Sequence, residues 1–193
     1  MAGDAPGLAD MLVRAFDDDP VADFMFAGPR RRRRGLHAFF ASQLRLYLSD
    51  GHVAVSVAGD GAALWGPPER VRHGVRELVQ LLPAGPFLIS HRAHRALRLL
   101  FEVDGLHPAE PHWYLATLGV EPGRQGHGVG TLLLRSMLGE IDRTGMPAYL
   151  ESSKERNVGF YARFGFTVVE ELRSASGGPP IWRMWREPQV PSI

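Results

Sequence analysis

Apolar residues recur along this chain at two periods, one near the helical repeat and one alternating, and the switches between them mark out its elements. Leu8, Met11, Leu12, Ala15 and Phe16 keep helical spacing behind Asp4, a good N-cap, with Pro6 in the first turn where its missing N–H is harmless. Asp17, Asp18, Asp19 and Pro20 end that helix. Phe24, Met25 and Phe26 follow in what reads as a loop, where three bulky apolar groups either pack on the core or line a pocket. Leu36, Phe39, Phe40, Leu44 and Tyr47 give the inward face of a helix over residues 32–49. Residues 52–58 and 61–65 form a hairpin around Gly59, Asp60 and Gly61. Two amphipathic segments, 71–82 and 91–103, read as helices inserted before the next strand. That strand spans 112–120, and Val129, Leu132, Leu133, Met137, Leu138 and Ile141 then resume helical spacing. A short strand over 148–152, a short helix over 154–164 and two strands over 166–171 and 181–186 complete the chain, the last with Trp182 and Met184 on one face. Strands and helices mix along the chain, an α/β composition, and no repeat or linker divides it, which predicts one domain over residues 1–193.

Composition narrows this picture by exclusion. The 193 residues are 45% apolar, enough for a full core, and the net charge of +1 gives no global field toward nucleic acid or membrane. Cysteine is absent, so disulfides, thiolate metal sites and a cysteine nucleophile are excluded. The first ten residues lack the basic and apolar regions of a signal peptide, and no apolar run is long enough to span a bilayer. A soluble cytoplasmic protein is the expectation. Arg30 to Arg34 are five consecutive arginines, read here as a solvated helix turn because no aromatic residues interleave them. His91 and His94 stand three apart without a third nearby ligand, so they are read as surface residues and no metal is expected.

The chemistry concentrates between the strand at 112–120 and the helix that follows. Gln125-Gly126-His127-Gly128-Val129-Gly130 is a loop of nearly bare backbone at a helix N-terminus, the physical description of an anion site. A nucleoside-triphosphate loop needs a lysine after the glycines, and none follows. A dinucleotide fold needs a third glycine where Thr131 stands, and a second βαβ half for which too little chain remains. A coenzyme A pyrophosphate site is the third reading, beside a helix start that merely needs glycine.

Those six residues resemble the glycine motif of the GNAT family of N-acetyltransferases. The run 150–168, LESSKERNVGFYARFGFTV, resembles that family's second half through Asn157, Phe160, Tyr161, Gly165 and Phe166. Residues 112–120 and 150–166 are most similar to the puromycin N-acetyltransferase type. The resemblance implies the acyl-CoA N-acyltransferase fold, a mixed, strongly twisted sheet of six or seven strands flanked by helices. The central strand and its successor would splay apart there to admit the pantetheine arm. It implies acetyl-CoA as co-substrate and a small amine as acceptor, a metabolite, toxin or antibiotic, attacked directly through a tetrahedral intermediate by a monomer or homodimer. Leu118, Gly119 and Val120 would present main-chain groups to the thioester arm. Residues Gln125, Gly126, His127, Gly128, Val129, Gly130 and Thr131 would hold the pyrophosphate, with Asn157 and Phe160 against the arm. Tyr161 stands at the position of the general acid. The base is open between Glu151, His112 and a water chain, because members with a carboxylate on the central strand carry it where this chain has Tyr114. The family's first strand has only Met1 to Gly3 to occupy. Two other roles fit the same motifs: a non-catalytic acyl-CoA sensor, and acetylation of a protein lysine or N-terminus.

Overall fold

A computed structural model describes residues 5–50, 52–68, 82–88 and 93–189. Helix α1 (Ala5–Ala15) buries Leu8, Met11, Leu12 and Ala15 as its spacing predicts. The next segment differs from the loop expected: Pro20–Met25 is a short helix, α2. Asp19 caps it, its carboxylate accepting from the N–H groups of Val21 at 2.9 Å and Ala22 at 3.1 Å, with Pro20 at the first helical position. Met25 and Phe26 are thereby buried in the core. Helix α3 (Pro29–Asp50) takes in the arginine run. Four of its five arginines are exposed, and Arg32 pairs with Asp23 at 2.7 Å and Asp17 at 3.3 Å.

Six strands form one mixed sheet in the order β1-β2-β3-β4-β6-β5: β1 (Val53–Val55), β2 (Gly61–Gly66), β3 (Trp113–Val120), β4 (Ala148–Ser152), β5 (Thr167–Leu172) and β6 (Ile181–Arg186). Only the β3–β4 pairing is parallel. Alternation along β2 sends Ala62 and Leu64 to one face and Ala63 and Trp65 to the other. The first face packs on α1, α2 and α3; the second packs on α6 (Val129–Thr144) and α7 (Val158–Ala162). Gly119 lets α1 lie this close, since a Cβ there would meet Leu12 Cδ2 at 2.4 Å. In α6, Leu132 is exposed, and Leu134 takes the buried place expected of it. Between β2 and β3 lie a short helix, α4 (Gly85–Leu88), and α5 (Ala93–Gly105), the inserted helical segment. The helix expected over 71–82 lies outside the described residues, as does His91; His94 is exposed on α5. Among the described residues no helix is long and apolar enough to cross a membrane. Nor is any group of three His, Asp or Glu side chains there placed to hold a metal ion.

Candidate active site

Strands β3 and β4 pair only at Trp113 with Ala148 and Tyr114 with Tyr149. Beyond those two positions they separate, and a cleft of about 440 Å³ opens between them. Its walls are residues 115–120 of β3, the loop after β3, and the start of α7. Gly126 and Gly128 adopt φ of 78° and 85°, left-handed backbone that other residues resist. A Cβ at either would meet no atom within 4 Å, so it would project into the open cradle. Gly128 caps α6 without a side-chain bond, so the first N–H groups of that 16-residue helix turn toward the cleft. The N–H set and the positive helix end suit an anion.

Most expected cofactor residues line the cleft: Leu118, Gly119, Val120, Gln125, Gly126, Gly128, Gly130, Thr131, Asn157, Phe160 and Tyr161. Two side chains do not. Val129 is buried in the core against Gly61, and exposed His127 turns its Nδ1 to the Gln125 carbonyl at 2.8 Å. Both offer the loop their backbone only. Asn157 makes no capping bond to α7, which leaves its amide for the cleft. Four cations also line the cleft: Arg124, Lys154, Arg156 and Arg163. Arg124 is tied to Asp60 at 2.9 Å. Lys154 and Arg156 both bind Asp18; burial works against that carboxylate's charge, but the two cations hold it below its ordinary range.

A second cavity, about 270 Å³, opens on the other side of the β3–β4 gap and is walled mainly by α2, α3 and α5. The two cavities share Phe16, Asp19, Ala116, Thr117, Glu151 and Ser153. Glu151 therefore stands where they meet. Its Oε2 accepts from the Tyr114 hydroxyl at 2.8 Å, and its Oε1 lies 3.5 Å from His107 Nδ1, an ion-pair contact without hydrogen-bond geometry. Burial opposes ionisation of Glu151, but His107 and the hydroxyls of Tyr114 and Tyr149 outweigh it and hold the carboxyl below its usual value.

The neighbouring histidines fix where a proton resides. His112 Nδ1 is 2.6 Å from the Glu110 carbonyl oxygen, which only accepts, so Nδ1 carries the hydrogen. His112 Nε2 and His107 Nε2 lie 3.0 Å apart, one donating and the other accepting. His107 Nδ1 is left facing Glu151. His112 is fully buried, lines neither cavity, and touches His107 and Tyr149, both of which contact Glu151. His107, at the end of the inserted segment, gave no local signal in the sequence.

Tyr161 lines the cleft with its ring packed on Phe160 and Phe166. Burial pushes its phenol well above the ordinary value, so it holds its proton throughout the neutral range. Asp19 and Ser153, hydrogen-bonded to each other at the junction, also went unseen in the sequence, because 134 residues separate them.

Residues 93–166 match the model of the acetyltransferase (GNAT) family. An uncharacterized N-acetyltransferase of Schizosaccharomyces pombe is 26% identical over 99% of this chain and 83% of its own. A solved structure described as histone acetyltransferase HPA2 and related acetyltransferase, from Corynebacterium glutamicum, is 27% identical over 100% of this chain and 96% of that one, with a TM-score of 0.69. An agmatine N-acetyltransferase in its apo form shares the fold at 16% identity, TM-score 0.66, over 97% of this chain and 96% of its own. The family match covers the stretch from α5 to just past α7, and the solved structures share the fold.

Proposed function

We propose that the chain is a GNAT N-acetyltransferase that moves the acetyl group of acetyl-CoA to the primary amine of a small molecule. The observation that carries this reading is the meeting of two cavities at one buried carboxylate, Glu151. The cradle at Gly126 to Thr131 suits the pyrophosphate, and the gap between β3 and β4 suits the pantetheine arm. Acetyl-CoA supplies the activated thioester. Main-chain groups of β3 beyond Tyr114 have no β4 partner and are available to polarise a carbonyl. The acceptor enters the second cavity, where Glu151 takes the ammonium proton and shares it with His107 Nδ1. Tyr161 gives a proton to the leaving sulfur; its raised pKa keeps it protonated until that moment.

The second cavity favours turnover over a sensor role, since a domain that only holds acyl-CoA has no use for it. Thiol release from acetyl-CoA against a panel of small amines and a lysine-bearing peptide, with CoA binding followed in parallel, tests the reading. We expect CoA binding and turnover with a small amine. CoA binding without turnover would restore the sensor, and turnover confined to the peptide would move the acceptor to proteins.

A further inference from the structure

We infer that the acceptor is a primary amine carried on a compact apolar body, aromatic or branched aliphatic, and not a linear polyamine or the lysine of a peptide. The inference rests on the reading of the second cavity as the amine pocket. Three features of that cavity lead to it.

The first is its walls. Phe26, Phe39, Phe40, Leu99, Val103 and Ile181 line it, on elements that meet from several sides. Apolar walls reward an apolar occupant and penalise a charge placed against them.

The second is a pair of orphaned oxygens. Among the described residues, Glu151 Oε1 and Asp104 Oδ1 are buried side-chain oxygens that make no hydrogen bond, and both residues line this cavity. Only 10% of the Glu151 side chain is exposed. Asp104 sits in the last turn of α5, where the helix dipole disfavours a carboxylate and favours a cation beside it. The other aspartate on the wall, Asp19, has its oxygens taken by Val21, Ala22 and Ser153. His107 links the two residues, since its N–H donates to the Asp104 carbonyl at 3.1 Å and its ring contacts Glu151. An alkylammonium brings three N–H donors to such a place. Two carboxylates in a mainly apolar lining suit a ligand that is apolar in body and carries a cation.

The third is size. At about 270 Å³ the cavity lies just below the range of roughly 300–1,000 Å³ usual for drug-sized ligands. That volume suits a small molecule.

The test compares kcat/KM for 2-phenylethylamine, 1,4-diaminobutane and a lysine-bearing peptide. A preference of at least tenfold for 2-phenylethylamine is expected, and equal or greater activity on the diamine or the peptide overturns the inference. Val103→Arg, which brings a cation and bulk into the cavity, is expected to weaken 2-phenylethylamine binding more than tenfold while CoA affinity stays within twofold. Asp104→Asn is expected to raise KM for 2-phenylethylamine at least fivefold with little change in kcat, and an unchanged KM removes Asp104 from the site. Should acetyl-CoA bind without turnover, the acetyl-transfer reading fails separately. Equilibrium binding of 2-phenylethylammonium against 1,4-diaminobutane then decides the pocket by itself, tighter binding of the arylalkyl amine supporting the inference and no preference overturning it.

Discussion

At the scale of single residues, the account turns on who holds the proton. Glu151 is held in its carboxylate form by His107 and the hydroxyls of Tyr114 and Tyr149, and His107 Nδ1 stands 3.5 Å from it. His107→Gln should therefore lower kcat for an amine while CoA affinity is kept, and a kcat unchanged in the variant would remove His107 from the relay. On the alkaline side Tyr161 contributes no fall near neutrality, because burial raises its pKa and the phenol stays protonated. Tyr161→Phe should therefore lower kcat across the whole profile while CoA affinity is kept, and an unchanged kcat would end the acid assignment. Tyr161 and Glu151 could be picked from sequence because each sits in a short, recognisable run. His107 could not, since its partners come from β3 and β4 and only tertiary packing brings them within reach.

At the scale of elements, strand, glycine loop and helix were readable because every determinant is local: apolar spacing, turn residues and glycines within 30 positions. Gly128→Ala tests the loop. At φ 85° an alanine costs roughly 1–2 kcal/mol of backbone strain, and its methyl enters the cradle. CoA affinity should fall by tenfold or more, measured by equilibrium titration, with the melting temperature lowered only by a few degrees. Gly119→Ala should behave in the opposite way. Its Cβ meets Leu12 on α1, so the expected cost is stability, about 1–3 kcal/mol by denaturant unfolding. The helix α2 escaped the sequence reading for a physical reason. Six residues give too little periodicity to register, and the aspartates before Pro20 read as a helix end, although Asp19 is also a cap for the next start. Leu132 misled in another way: it fits the helical spacing but falls on the solvent side of α6, where the sheet gives it nothing to cover.

At the scale of the whole molecule, long-range contacts hold the splayed sheet together, and none of them was legible in the sequence. Arg186 on β6 is 2% exposed at its side chain and grips Asp142 of α6 through two bonds, at 2.6 and 2.8 Å. Burial disfavours the Asp142 charge, but Arg186 and the Gln189 N–H outweigh it and hold the carboxyl below its usual value. Its contribution to stability is therefore complete above the ordinary aspartate pKa of about 3.9 and is lost as pH falls through the lower folded value. Arg186→Met strands that carboxylate and should cost on the order of 3–5 kcal/mol, read from urea unfolding near neutral pH. The two cavities are likewise a property of the assembled molecule: α1 and α2 bring Phe16 and Asp19 to the same gap that Glu151 reaches from β4. The central claim is that acetyl transfer happens at that gap with Glu151 as the base. The most direct measurement is thiol release from acetyl-CoA by Glu151→Gln beside the unaltered protein, at saturating 2-phenylethylamine and with CoA affinity measured on both. A loss of about 10²–10⁴ in kcat with CoA affinity within twofold is the predicted result; a kcat equal to that of the unaltered protein would contradict it.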